Sequence, residues 1–183
     1  MPILPTKTSL ISIDLILEKG EVEEGDSVAD LGCGRSIFFL YSLASLVGIT
    51  GKVYGIDILP EALDSVSHDV THHRLSMIKI IRANLEKPHG VSLSDDSISS
   101  AFLVNTLSQS TDSLAMLREA KRLLKPGGRL IVVDWTTTDS PFGPDQTRRI
   151  SAGHVNDLVE LCELKTLDHF DAGPYHYGIV ITK

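Results

Sequence analysis

The residues with the clearest capacity for chemistry lie in Val28-Ala29-Asp30-Leu31-Gly32-Cys33-Gly34-Arg35-Ser36, a β-rich run that enters a glycine turn and then a helical pattern. Glycines at such a turn let a ligand approach the backbone and meet the free N–H groups of a helix start. A dinucleotide fingerprint, GxGxxG, would need its third glycine at position 37, where Ile37 stands. Asp30 also opposes a pyrophosphate, because a carboxylate repels phosphate and attracts an ammonium or a sulfonium. The turn therefore favours a nucleoside ligand with a positive charge over NAD. Cys33, inside the turn, reads as a packing residue rather than a nucleophile, and Ser36 suits a helix N-cap.

A second group of candidates is scattered along the chain. In an open α/β sheet, ligands lie beyond the carboxyl ends of the strands, and Asn105, Thr106, Gln109, Asp134 and Trp135 fall at or just after such ends. So does the expected turn Asp171-Ala172-Gly173-Pro174-Tyr175-His176, where an imidazole is flanked by Tyr175 and Tyr177. His176 is read as a contact to a substrate or as part of an ordered hairpin turn. Asp134 is read as a base or as a carboxylate that caps the following loop.

The elements that must position these residues alternate between short β-rich runs and helical stretches, the pattern of a parallel sheet covered on both faces. Strands are expected at Ser27–Leu31, Lys52–Asp57, Met77–Arg82, Ser100–Asn105, Arg129–Trp135, Leu164–His169 and Tyr177–Thr182. Helices are expected at Ser9–Glu18, Ile37–Val47, Glu61–His73, Ser113–Leu124 and Ser151–Leu161. Lys125-Pro126-Gly127-Gly128 reads as a helix stop. Two long irregular segments, Leu85–Ser99 and Thr136–Ile150, are of the kind that often serves function.

In order and spacing these runs resemble the class I S-adenosylmethionine-dependent methyltransferases. The first motif of that family, an acidic residue followed by GxGxG, is matched by Asp30, Gly32 and Gly34, with Ser36 in the place of the last glycine. Gly55-Ile56-Asp57-Ile58 resembles the second motif, in which the acidic residue binds both ribose hydroxyls. Asp57 stands 25 residues after Gly32, near the roughly 20 typical of ribose-binding carboxylates. Arg82-Ala83-Asn84-Leu85 occupies the adenine position, where Asn84 serves either as a contact or as a turn former. Leu103-Val104-Asn105-Thr106-Leu107 matches the end of the fourth strand, and Leu123-Leu124-Lys125-Pro126-Gly127-Gly128 the segment before the fifth. The wording is most similar to the type 11 branch, which includes the ubiquinone and menaquinone C-methyltransferases. The resemblance implies a doubly wound, Rossmann-like α/β fold with a seven-stranded sheet, six strands parallel and the last antiparallel. It also implies S-adenosyl-L-methionine as cofactor, held by Asp30, Gly32, Gly34, Asp57, Ile58, Asn84, Leu85 and Asn105. Asp134 and His176 are then candidates for proton handling, and Gln109, Trp135 and Tyr175 for acceptor contact.

Composition narrows the partners. The 183 residues are expected to form one domain, and 17 Lys and Arg against 24 Asp and Glu give a net charge of −7, which disfavours nucleic acid and anionic lipid. The longest apolar run free of charge, Ser36–Gly51, is shorter than the roughly 20 residues of a membrane span. Cys33 and Cys162 have neither disulfide nor zinc-ligand spacing, so no metal is expected and a cytoplasmic setting is. Within the resemblance, the acidic charge and a fourth-strand end, Asn105-Thr106-Leu107-Ser108, without the proline and aromatic residues of amino-methylating DNA enzymes point to a small-molecule methyl acceptor. Protein lysine methylation is the alternative within the class, a catalytically idle cofactor-binding partner subunit the alternative outside it, and a homodimer is compatible with either.

Overall fold

The strands that carry the glycine turn and the ribose motif bury residues 28–31 and Val53, Gly55 and Ile56, as strands covered on both faces do. The computed structural model describes residues 10–183. It places β1 (Ser27–Leu31) beside β2 (Lys52–Asp57), and β3 (Ile78–Arg82) outside β2. On the other flank of β1 come β4 (Ile98–Val104), β5 (Leu124–Trp135), β7 (His176–Thr182) and β6 (Lys165–Gly173), in that order. The first five strands pair in parallel; β7 runs antiparallel between β5 and β6. Six strands thus point one way and the last the other, as expected.

Helices cover both faces. On one, α1 (Ile13–Gly20), α2 (Ile37–Val47) and α3 (Pro60–His72) bury Ile16, Leu40, Leu43 and Val66 against Val28, Phe102 and Ile131 of the sheet. On the other, α4 (Ser113–Leu123) and α5 (Ala152–Leu161) bury Leu117, Leu123, Val155 and Val159 against Leu31, Leu103 and Leu130. The chain winds outward from β1 through β2 to β3 and then returns to lay β4 on β1's opposite side. That reversal opens a crevice at the carboxyl ends of β1 and β4.

Three expectations are corrected. The first helix begins at Ile13, because Leu10–Ser12 is pinned to the sheet by Ser12 N–H donating to Ala172 O at 2.7 Å; Ser9 lies outside the described residues. The Lys125–Gly128 breakers do not separate helix from strand but bulge within β5, between the Ile98–Leu124 and Ser100–Arg129 pairs, with Gly127 at φ +76. The turn expected over Asp171–His176 shrinks to Pro174–Tyr175. β6 keeps pairing with β7 as far as Gly173, so His176 opens a strand and is buried rather than set in a loop.

The first long irregular segment, 83–97, is tied down by one ion pair. Arg122 forks onto both oxygens of Glu119 (Nε to Oε2 3.0 Å, Nη2 to Oε1 2.7 Å) and also donates to Val91 O, Leu93 O and Asp95. Glu119 in turn accepts from the amides of His89 and Val91. Burial pushes the Glu119 carboxyl up, and the Arg122 guanidinium with those amides more than offsets this, holding it below the ordinary carboxylate range. Removing Arg122 leaves that carboxylate buried without its cation, so Arg122→Ala should destabilise the fold by about 3–5 kcal/mol. Arg122→Lys should recover only part of this, because a lysine cannot reproduce the fork. Urea denaturation of the two variants checks both, and a loss under about 1 kcal/mol for Arg122→Ala would remove the ion pair from this role.

Candidate active site

The glycine turn is built by the end of β2. Successive amides of Gly32 and Cys33 donate to Ile56 O (2.7 and 3.0 Å), and Gly34 N–H donates to Asp57 Oδ2 at 2.9 Å. Asp57 Oδ1 accepts from Leu59 N–H at 2.9 Å. The carboxylate is thus fixed by one amide on each oxygen, and each oxygen keeps a further lone pair for a ligand. Gly32 has φ +92, and a Cβ there would come within 2.5 Å of Thr106 Cγ2; Gly34 has φ +62, and a Cβ there would project into open space. Gly32 is needed for the close approach of β4's end, whereas Gly34 leaves room at the turn's outer surface.

Around this turn lies a cleft of about 390 Å³, within the range of small-ligand sites. Its walls come from four strand ends: Gly32 and Gly34 after β1, Asp57 and Ile58 after β2, Asn84 and Leu85 after β3, and Thr106 and Gln109 after β4. Six residues expected to bind the cofactor (Gly32, Gly34, Asp57, Ile58, Asn84 and Leu85) are brought together here. Gln109, expected on the acceptor side, joins them, with Nε2 donating to Asn105 O at 2.6 Å. Asn84 lines the cleft and also forms the expected turn, its Oδ1 accepting from Glu86 N–H.

Asp30 and Asn105 sit behind the walls. Asn105 takes up φ +56, and its Oδ1 is buried with no hydrogen-bond partner among the described residues. Asp30 is 4% exposed, and burial, followed by the nearby charge of Asp57, pushes its carboxyl up to about 7. A cation placed over the turn would relieve both effects.

The remaining candidates lie on the β5–β7 half. Asp134 is fully buried; its Oδ2 accepts from Ser108 N–H (3.0 Å) and its Oδ1 from Trp135 N–H (2.8 Å), so it caps the strand end and the 3-10 turn at 107–109. Burial pushes its carboxyl up. His176 packs on Trp135 with ring centroids 4.0 Å apart. Its Nδ1 lies 3.0 Å from Leu10 O; a carbonyl only accepts, so Nδ1 carries the proton and Nε2 the lone pair. That Nε2 is buried and unpartnered among the described residues, and burial holds the imidazole pKa below its ordinary value. Tyr175 is half-buried against Phe142, at 5.8 Å between ring centroids.

Sequence reasoning missed Glu86, Ser110, Leu59 and Met116, which also line the cleft. Glu86 accepts from Ser110 Oγ, Thr111 N–H and Thr111 Oγ1 at 2.6–2.7 Å, which holds its carboxyl down to about 2 and clamps the loop after β3 to the start of α4. An acidic residue two positions past Asn84 was the available signal. Also missed was Arg149, which holds the second long segment by donating to Pro144 O, Thr136 O, Thr138 O and Phe142 O while lying over the Trp135 ring.

The burial of Asp30 has a consequence for stability. Its carboxyl ionises near 3.8 when unfolded and near 7 when folded, so its contribution is fully present below pH 4 and is lost as pH rises through 7. Asp30→Asn cannot ionise. The variant should therefore be more stable than the parent by at least about 1 kcal/mol at pH 8, with the gain shrinking toward pH 4. Denaturant titrations at the two pH values check this, and equal stability at pH 8 would refute it.

Comparison with known proteins adds to this geometry. Residues 22–165 match a family described as a methyltransferase domain. A solved S-adenosylmethionine-dependent methyltransferase from Aquifex aeolicus superposes with a TM-score of 0.87 at 26% identity, covering 97% of this chain and 92% of that one. The ubiquinone/menaquinone biosynthesis C-methyltransferase UbiE of Hahella chejuensis is 32% identical over 69% of this chain and 49% of its own length. An arsenite methyltransferase of Aquipseudomonas alcaligenes is 34% identical over 61% of this chain and 33% of its own length. The matched part thus spans about a third to a half of these curated relatives. With the strand order, the glycine turn and the strand-end carboxylate in place, the chain belongs to the class I S-adenosylmethionine-dependent methyltransferase family.

Proposed function

We propose that the chain is an S-adenosylmethionine-dependent methyltransferase acting on a small organic acceptor. The observation that carries this reading is the pairing of two carboxylates under one glycine turn. Asp57 is oriented by Gly34 and Leu59 with lone pairs to spare, as a ribose site needs, and Asp30 is buried where a neighbouring cation would stabilise it. When bound, S-adenosylmethionine supplies an electrophilic methyl group on a positively charged sulfur. The chain's own residues bind and orient: Asp57 takes the ribose hydroxyls, Asn84, Leu85 and the Glu86 clamp form the base end, and Asp30 favours the cationic end. No basic catalyst is needed unless the attacking atom loses a proton.

For that proton His176 is better suited than Asp134. Both are buried, but the Asp134 oxygens already hold the strand end and the 3-10 turn through backbone amides, whereas the buried His176 Nε2 is unpartnered among the described residues, on a ring whose pKa burial lowers. The acceptor wall is then the half-buried Tyr175 and exposed Phe142, backed by the buried Trp135 and His176, an aromatic surface suited to an apolar or conjugated molecule. Arsenic as acceptor is disfavoured, since the two cysteines lie on opposite faces of the sheet, Cys33 against α2 and Cys162 against α4 and α5.

Calorimetry with S-adenosylmethionine and S-adenosylhomocysteine tests the cofactor reading. Both should bind saturably, and Asp57→Ala should weaken both by about 2 kcal/mol or more through loss of charge-assisted hydrogen bonds. NAD and NADP should not bind. Affinity for the sulfonium should fall as pH drops below 7 and Asp30 takes up a proton, while the uncharged thioether product should show a flatter profile. Absence of saturable binding, or equal affinity of the Asp57 variant, would end this reading. Labelled-methyl transfer into lysate small molecules then separates an enzyme from an idle binding subunit.

His176→Asn and Tyr175→Ala should leave cofactor affinity within about threefold, under roughly 0.7 kcal/mol, while transfer falls. If cofactor affinity collapses with both substitutions, the aromatic wall belongs to the cofactor site and not to the acceptor.

A further inference from the structure

Helix α2 is apolar on the face it buries and also on the face it shows. No charged residue occurs between Ser36 and Gly51. Leu40, Leu43, Ala44 and Val47 pack on the sheet, yet Phe38 is 75% exposed, Tyr41 52% and Leu46 41%, with Ile49 just past the helix at 88%. At 100° per residue Phe38, Tyr41, Ser42, Ser45 and Leu46 form one continuous outer stripe, and Ile49 extends it. The two serines add little polarity. Ser42 Oγ donates to Phe38 O and Ser45 Oγ to Tyr41 O, both at 3.0 Å, so each hydroxyl proton is spent on the helix's own backbone. Surface helices of soluble proteins carry charge on the outer face, and an apolar stripe on that face marks a contact.

The geometry points to a second copy of this chain as the occupant, joined through α2 across a two-fold axis that passes near Ser42 and Ser45. Three features select it. The small serines at the middle of the stripe let two helices approach closely, with larger side chains toward each end. An antiparallel pairing about that midpoint sets Phe38 against Ile49 of the partner subunit, and the reverse, as a self-complementary interface requires. The charges at the two ends of the stripe are opposite. Exposed Arg35 precedes the helix, in a depression shared with Asp69 and His73. At the other end, exposed Glu23 and Glu24 precede β1, and Glu24 lies against Gly48. Antiparallel pairing brings Arg35 to Glu24 of the partner subunit at both ends. Two copies that each carry −7 repel over most of their surfaces; α2 itself carries no charge, and the acidic Asp14, Glu18 and Glu21 border it only at Leu46. The same net charge disfavours an anionic lipid surface as the occupant.

Sedimentation velocity on the full chain over about 1–100 µM tests the inference, because these concentrations bracket micromolar dissociation constants. The expected result is a concentration-dependent dimer. Ser45→Glu places two carboxylates near the axis and should raise the dissociation constant at least tenfold with an unchanged circular dichroism spectrum. Independently, Arg35→Glu and Glu24→Arg should each weaken the dimer, and the double exchange should restore it. A chain that stays monomeric to about 100 µM overturns the proposal, as does a Ser45→Glu variant that dimerises like the parent. Binding of the monomer to phosphatidylcholine vesicles through Phe38 and Ile49 would equally overturn it, by assigning the face to lipid.

Discussion

Three consecutive amides, those of Gly32, Cys33 and Gly34, all turn toward the end of β2, and the rest of the site depends on that arrangement. Two find the carbonyl of Ile56 and the third the carboxylate of Asp57. The chain can hold this only because Gly32 and Gly34 adopt positive φ, at little steric cost for glycine. One consequence is that Asp57 cannot swing away, since the hydrogen bond that shapes the turn also aims the carboxylate. Another is the direction in which α2 leaves the sheet. Ser36, at φ −102, caps it by accepting from Phe38 N–H at 3.4 Å. A glycine is not required at that position, which explains how this chain departs there from the family's GxGxG.

The same turn accounts for the unusual state of Asp30. A carboxylate inside a parallel strand, away from water and near a second carboxylate, is poorly solvated. The protein accommodates it by raising its pKa to about 7. Such a group lowers the stability of the free protein in its charged form and is relieved when a positive ligand arrives. A site that is least comfortable when empty gains ligand affinity from that discomfort, consistent with strain stored at functional positions.

Much of this was legible from local pattern. β1, β2 and α2 occur at the bounds expected from periodicity, and the residues after β1, β2 and β3 converge because strand order in a doubly wound sheet forces strand ends together. What failed had tertiary causes. Lys125-Pro126-Gly127-Gly128 carries every sign of a break, yet Gly127 N–H donates to Lys183 O and Lys183 N–H to Gly128 O, so the sheet absorbs it as a bulge. His176 falls in the expected turn between a parallel strand and an antiparallel one, but pairing with Trp135 draws it into β7. Glu86, despite its place two positions past Asn84, and Arg149 escaped the pattern for a further reason. Their importance lies in partners 24 or more residues distant in the first case, and in backbone carbonyls, which have no sequence signature, in the second.

The two halves of the molecule's active edge are consequently built from different materials. The cofactor half is made of backbone amides and a few short side chains fixed by the parallel ladder, so its shape follows from the fold. The β5–β7 half is made of large side chains, Trp135, Phe142, Tyr175 and His176, on a hairpin and on a loop that Arg149 fastens through four carbonyls. Gly143 allows that loop to lie directly on the Trp135 ring, where a Cβ would come within 2.6 Å. Substitutions at Phe142 or Tyr175, whose rings pack together, reshape this half without touching a strand end of the first. A fold divided in this way can hold one half of the edge fixed while the other varies, and under the proposed function the aromatic loop, rather than the glycine turn, is the half that faces the acceptor.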